Sequence, residues 1–229
     1  MGRVPLCIAL LAAADDPAAR RAQMVAEQIE GRGLTDAAVL AAMRKVPREE
    51  FVPEGLRNFA YQDHPLPIGE GQTISQPYVV ALMTELAAVR KGSRALEVGT
   101  GSGYQAAVLA EMGAEVWSIE IVDSLARSAA ERLGRLGYKS VHVKSGDGYR
   151  GWPERAPFDA IVVTAAPSQV PTPLKEQLKM GGRLVIPVGP GLGNLLLLTR
   201  TRDGFVTRSI APVGFVPMTG EAERPPIGR

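Results

Sequence analysis

The stretch Leu96-Glu97-Val98-Gly99-Thr100-Gly101-Ser102-Gly103-Tyr104 decides the fold. A short apolar run ends in three alternating glycines that open a helix, the order expected of a strand, a tight turn and a crossover. Glycine allows the turn and lets backbone N–H groups come close to a ligand, while the helix that follows presents its positive end. On this segment alone two readings stay open, a nucleotide site and a structural turn.

Outward from it, apolar runs near 94–98, 115–119, 139–143, 158–163 and 182–188 alternate with helical stretches. Such alternation predicts a doubly wound α/β fold with a mostly parallel sheet, helices on both faces and ligands beyond the carboxyl ends of the strands. Leu195 to Thr201 and Phe205 to Ile210 flank Arg202-Asp203-Gly204, a hairpin pattern that predicts antiparallel strands at one sheet edge. Upstream, residues 20–46 read as an N-terminal helical segment of two helices. Met24, Ile29 and Leu34 bracket the first; Thr35 caps the second, which carries Val39, Leu40 and Met43 on one face. From Phe51 to Pro77 the chain is irregular and rich in Pro and Gly, and a segment of that length inside a compact domain is usually functional. It is a candidate active-site segment, with a simple connector as the alternative. A helix from Tyr78 to about Ala88 follows.

A chain of 229 residues suits one domain. With 45% apolar and 22% charged residues its composition is that of a globular protein, not of a disordered or fibrous one. The 26 Lys and Arg against 24 Asp and Glu leave a net charge of +2 that is spread along the chain, which argues against a nucleic-acid partner. Cys7 is the single cysteine, so an internal disulfide and a multi-cysteine zinc site are excluded. His64 and His142 lie too far apart to form a compact helical ligand pair, and no metal is expected. One cysteine also points to a reducing compartment. Arg3 precedes an apolar run, Val4 to Ala14, that imitates a short secretory signal. The run is shorter than the roughly 20 residues that span a bilayer, and Pro5 interrupts it. The expectation is a cytoplasmic protein with no membrane partner, or a periplasmic one if residues 1–14 act as a signal.

The glycine spacing discriminates among nucleotide ligands. Dinucleotide enzymes use G-x-G-x-x-G, whereas here the glycines fall at 99, 101 and 103 behind Glu97. This E-x-G-x-G-x-G form resembles the first motif of S-adenosylmethionine-dependent methyltransferases. The next strand ends in Glu120, where a carboxylate can accept hydrogen bonds from both ribose hydroxyls. Val141 and Val143 lead to Ser145-Gly146-Asp147-Gly148, where Asp147 is a candidate partner for an adenine amino group, a turn role being its alternative. His64 sits between turn residues and reads as structural, His142 faces away from the core, and Trp117 and Trp152 read as packing.

The resemblance becomes specific at Leu66-Pro67-Ile68-Gly69-Glu70-Gly71-Gln72-Thr73-Ile74-Ser75-Gln76-Pro77. Together with Glu97 to Tyr104, Ser145 to Gly148, Phe158 to Pro167 and Phe215-Val216-Pro217, this segment resembles the protein-L-isoaspartate (D-aspartate) O-methyltransferase family from about Met24 to Thr219. The resemblance implies a Rossmann-like methyltransferase fold over residues 21–219, with residues 1–20 as an extension and 220–229 as a tail. It implies methyl transfer from S-adenosylmethionine to the misplaced α-carboxylate of isoaspartyl residues in proteins and peptides, opening a repair route through a succinimide; a monomer is expected. Ser75 matches the family's active-site serine. Glu97, Gly99, Gly101, Gly103, Glu120, Asp147 and Gly148 match its cofactor positions, and Ile74, Ser75 and Val216 its substrate side. A carboxylic acid with a pKa near about 4 is already ionised at neutral pH, so such an acceptor needs no general base. Positioning and exclusion of water then carry the reaction, and Ser75 donates a hydrogen bond to one carboxylate oxygen.

Overall fold

The computed structural model describes residues 16–189 and 191–223. The signal-like run and residues 224–229 lie outside them. Helix α1 (Pro17–Met24) begins at Asp16, whose side chain accepts from Ala18 N at 3.0 Å, and continues through tighter and looser turns to Arg32. Then come α2 (Ala37–Lys45), β1 (Leu66–Gly69), β2 (Gln72–Ile74) and α3 (Pro77–Ala87). The remainder is β3 (Arg94–Val98), α4 (Tyr104–Glu111), β4 (Glu115–Glu120), α5 (Asp123–Arg135), β5 (Val141–Ser145), β6 (Phe158–Val163), α6 (Thr172–Glu176), β7 (Leu178–Val188), β8 (Leu192–Thr201) and β9 (Gly204–Gly214).

The main sheet runs β5-β4-β3-β6-β7-β8-β9. Its first five strands are parallel, and β8 and β9 close one edge antiparallel. Growth of the sheet reverses at β3, since β4 and β5 are added on one side and β6 on the other. That reversal opens a crevice between the ends of β3 and β6, the usual ligand position of a doubly wound sheet.

Alternation along each strand separates two cores. Leu96, Trp117, Ile161, Leu184 and Leu198 are in register and form one buried row, packed on α6 through Leu174. The opposite face carries Ala95, Val116, Val162, Val185 and Leu197, covered by α1 to α4 and by Leu133 of α5. Helices thus cover both faces unequally, because the β5 to β6 connection holds only short 3-10 turns, Gly148–Arg150 and Pro153–Arg155. Among the described residues no helix is long and apolar enough to cross a membrane.

Strands β7, β8 and β9 extend beyond the runs read from the sequence, and three further details differ. The cap of α2 is Asp36 rather than Thr35: its carboxylate accepts from Ala38 N at 3.0 Å and Val39 N at 3.2 Å, an anion at the positive helix end. The irregular segment contains the β1–β2 hairpin, whose strands of four and three residues are too short to show a period. Strand β5 starts two residues later than expected because Val141 N bonds Tyr138 O at 3.2 Å, closing a turn over the intended start.

Leu184 has no exposure and lies mid-sheet. Leu184→Ala is expected to lower the unfolding free energy by about 2 to 5 kcal/mol. Val206→Ala, at the exposed hairpin end, is expected to stay within about 0.5 kcal/mol. Urea titrations check both; equal effects would contradict this description of the core.

Candidate active site

The ends of β3 and β6 are tied together. Thr164 N donates to Val98 O at 2.9 Å, and its hydroxyl donates to Gly99 O at 2.5 Å. Gly99 turns the chain at φ +97, and a Cβ there would collide with the Thr164 hydroxyl. Gly148 is required for a different reason, since its Cβ would strike Val98 and push the third strand end away. Gly103 caps α4 against Leu133 and lines neither of the cavities described below.

The N–H groups of the glycine turn are taken up internally. Gly99 N and Thr100 N donate to Ile119 O at 2.8 and 3.3 Å, Gly101 N donates to a Glu120 oxygen at 2.7 Å, and Gly103 N donates to Thr100 O at 2.8 Å. A cradle for a pyrophosphate needs such groups pointing at the ligand.

A cleft lies over these strand ends. It brings together Gly99, Gly101, Glu120, Asp147, Gly148 and Val216. Glu120 is buried, and its other oxygen accepts from Val122 N at 3.0 Å. Asp147 accepts from Tyr149 N at 2.9 Å and from Glu221 N at 2.7 Å. Each carboxylate oxygen keeps a second lone pair for a ligand. The sequence reading missed Ile121, which follows Glu120 directly and lines the cleft while 42% exposed. Its place directly after the strand-end acid Glu120 was the available signal.

Glu97 lies on the other side of the turn, wholly buried in the row of Val162 and Val185. The Ser118 hydroxyl donates to one of its oxygens, and the other has no hydrogen-bond partner. Burial, reinforced by the nearby Glu120 carboxylate and opposed by the Ser118 bond, pushes its pKa up to about 8.

A second cavity of about 330 Å³ holds Glu97, Gly99, Gly101, Ile74 and Ser75. Ile74 is buried in the core beneath it. Ser75 also lines an outer groove with Gln76, Leu192, Phe215 and Val216, so it sits where the two spaces meet. Thr73 and Thr164, given no role by the sequence reading, line all three spaces. Val216 reaches the site because Ala166 N donates to its carbonyl at 2.8 Å and Met218 N donates to Ala166 O at 2.9 Å, a short parallel bridge beside β6. His64 bonds Gln62 and the Pro65 carbonyl and lines none of these spaces.

The donor set selects the ligand. The cleft is lined by the Glu120 and Asp147 carboxylates, by Gln72 and three threonines and by apolar side chains, with no Lys or Arg among its lining residues. A phosphate-bearing dinucleotide would meet repulsion there, while a phosphate-free nucleoside carrying positive charge fits. Among the described residues no group of three or more His, Cys, Asp or Glu is placed to hold a metal.

Comparison with known proteins agrees with this chemistry. Residues 19–223 match the family described as protein-L-isoaspartate (D-aspartate) O-methyltransferase. A protein-L-isoaspartate O-methyltransferase of Gloeobacter violaceus is 58% identical over 200 residues, covering 86% of this chain and 98% of the relative. One of Opitutus terrae is 59% identical over 203 residues, covering 88% and 87%. Among solved structures, a protein-L-isoaspartate O-methyltransferase superposes with TM-score 0.80 at 30% identity, over 88% of this chain and 67% of that one. A Plasmodium falciparum protein named as a protein-L-isoaspartate O-methyltransferase, in complex with S-adenosyl-L-homocysteine, gives 0.76 at 28% identity, over 87% and 98%.

The raised pKa of Glu97 has a consequence for stability. In the unfolded chain the group titrates near its ordinary value, so between about pH 4.5 and 8 the folded state holds a proton that the unfolded state has lost. Its contribution is therefore full below that window and declines as pH rises through it, by at most about 1.4 kcal/mol per pH unit. Urea unfolding of the ligand-free protein at pH 5.5, 6.5 and 7.5 is expected to show wild type losing stability relative to Glu97→Gln. Parallel curves would contradict a protonated Glu97.

Proposed function

The chain belongs to the protein-L-isoaspartate (D-aspartate) O-methyltransferase family, and from that membership we propose how its residues divide the work. The activity is methyl transfer to the free α-carboxylate of L-isoaspartyl and D-aspartyl residues in damaged proteins, which initiates repair through a succinimide. S-adenosylmethionine, when bound, supplies the methyl group from a sulfonium centre. Glu120 holds the ribose hydroxyls and Asp147 the adenine amino group, while Ile121 gives the base an apolar contact. Glycines 99, 101 and 148 admit the cofactor without a Cβ in its way, and Glu97 and Gly103 support the turn from behind.

The acceptor side is Ser75 with Ile74 and Val216. An ionised carboxylate enters along the outer groove, and Ser75 donates a hydrogen bond to one oxygen, leaving the other directed at the methyl group. No side chain removes a proton, because the acceptor has none to lose at neutral pH. Thr73 and Thr164 wall the junction and exclude water, which strengthens the hydrogen bond from Ser75. The observation that carries this reading is the place of Ser75, which lines both the inner cavity behind the glycine turn and the outer groove, while Thr73 and Thr164 connect these to the acid-lined cleft.

The reading extends to one methyltransferase domain over residues 21–219, working as a monomer in the cytoplasm, where its cofactor is made, with isoaspartyl proteins and peptides as partners. It includes no metal, membrane or nucleic-acid partner; the balanced, unclustered charge supports the last.

Mass spectrometry of an isoaspartyl peptide incubated with the protein and S-adenosylmethionine is expected to find one added methyl group, and none on the ordinary aspartyl isomer. Methylation of both isomers, or of neither, would refute the assignment.

Two substitutions separate the roles. Glu120→Ala is expected to weaken S-adenosylmethionine binding by about 1 to 3 kcal/mol, and calorimetry giving unchanged affinity would remove Glu120 from the site. Ser75→Ala is expected to lower turnover by about 10 to 1,000-fold with cofactor affinity nearly intact. Turnover should be flat from about pH 6 to 7, and a tenfold rise per pH unit there would reveal a required base.

A further inference from the structure

Arg48 is completely buried, and that burial holds its guanidinium below the usual arginine range. Nε donates to Ala60 O at 2.7 Å and Nη2 donates to Ser75 O at 2.7 Å, while Nη1 finds no acceptor. The guanidinium carbon lies 4.8 Å from the ring centroid of Tyr104, the residue that opens α4 behind the glycine turn. Asp63 takes the next links of the same loop: it accepts from Gln76 Nε2 at 2.7 Å and Tyr78 N at 3.3 Å, and pairs with Arg32 at 2.7 Å.

A buried cation bonded to two carbonyls is an expensive way to fill a core, since desolvation of the charge offsets much of what the bonds contribute. What the arrangement provides is geometry. The planar fork reaches two carbonyls at once, which a lysine ammonium at the same depth cannot do with fixed directions. One of those carbonyls belongs to Ser75, which lines both the inner cavity and the outer groove. A displacement of about 1 Å at a reacting group can cost about 100-fold in rate, so the anchor of Ser75 is a catalytic variable.

We propose that Arg48 and Asp63 are positioning residues that clamp the loop Ser75–Tyr78 and set the reach of the Ser75 hydroxyl toward the methyl acceptor. The proposal rests on the reading of Ser75 as the acceptor's hydrogen-bond donor. Neither Arg48 nor Asp63 touches the acceptor; both act through Ser75.

The test compares wild type, Ser75→Ala, Arg48→Lys and the double variant for kcat and KM with an isoaspartyl peptide. S-adenosyl-L-homocysteine affinity is measured by calorimetry in each. Arg48→Lys is expected to lower kcat by about 10 to 100-fold while S-adenosyl-L-homocysteine affinity stays within about twofold. In the Ser75→Ala background the same change is expected to cost less than about threefold, because the hydroxyl it positions is gone. Full turnover by Ser75→Ala would overturn the reading of Ser75 and the clamp with it. A slow Ser75→Ala enzyme in which Arg48→Lys costs the same as in wild type, or an Arg48→Lys enzyme that loses S-adenosyl-L-homocysteine affinity in proportion to turnover, would overturn the clamp alone. Where Arg48→Lys does not fold, Asp63→Asn replaces it in the cycle. It is expected to show the same coupling to Ser75 at about 3 to 10-fold in kcat, and additivity would overturn the clamp.

Discussion

Thr164 bonds the backbone on both sides of the Val98–Gly99 link, and the rest of the site depends on that attachment. The bonds fix the distance between the ends of β3 and β6 where the sheet reverses its growth. With that distance fixed, the glycine turn can lie only one way, its N–H groups directed onto Ile119 and Glu120. Two properties follow. The turn is no longer an anion cradle, and the Glu120 carboxylate is held against it as part of the cleft wall. The internally bonded N–H groups of the turn and the acids in the cleft wall both disfavour an anion there.

Polar groups buried around this attachment carry costs that packing has to offset. Glu97 has one oxygen without a partner, and Arg48 has one such nitrogen. Both lie directly behind segments that line the cavities, the glycine turn in one case and the Ser75 loop in the other. A core built for stability alone would place apolar groups there. The apolar rows on the two faces of the sheet, fully buried at Leu184, Ile161 and Val162, are what make such placements tolerable.

Much of this was legible before any coordinates, for a physical reason. Strand ends in a parallel sheet are marked by a change from apolar to small or acidic residues, so Gly99, Glu120 and Asp147 could be placed at converging strand ends from the sequence, and they line one cleft. Arg48 was not legible. In Arg48-Glu49-Glu50 it looks like a solvated charge, and only the packing of two 3-10 turns against the Ser75 loop buries it. Thr164 was hidden for the same reason, since its partners are 65 and 66 residues away. The β1–β2 hairpin escaped notice because its turn, rather than its short strands, holds it: Glu70 at φ +53 sits between two glycines with positive φ. Asp36 displaced Thr35 as a cap because Asp ranks above Thr at that position and its charge suits the positive helix end.

The central claim is that the methyl donor lies in the acid-lined cleft and an isoaspartyl carboxylate in the outer groove, hydrogen-bonded to Ser75 where that groove meets the inner cavity. A crystal structure of the protein with S-adenosyl-L-homocysteine and an isoaspartyl peptide measures this directly. The account predicts the nucleoside across the glycine turn with its ribose on Glu120, and the peptide in the outer groove with one oxygen of its isoaspartyl carboxylate at about 2.7 Å from Ser75 Oγ. A peptide carboxylate bound away from Ser75, or a nucleoside lying outside the cleft between Glu120 and Asp147, would contradict it.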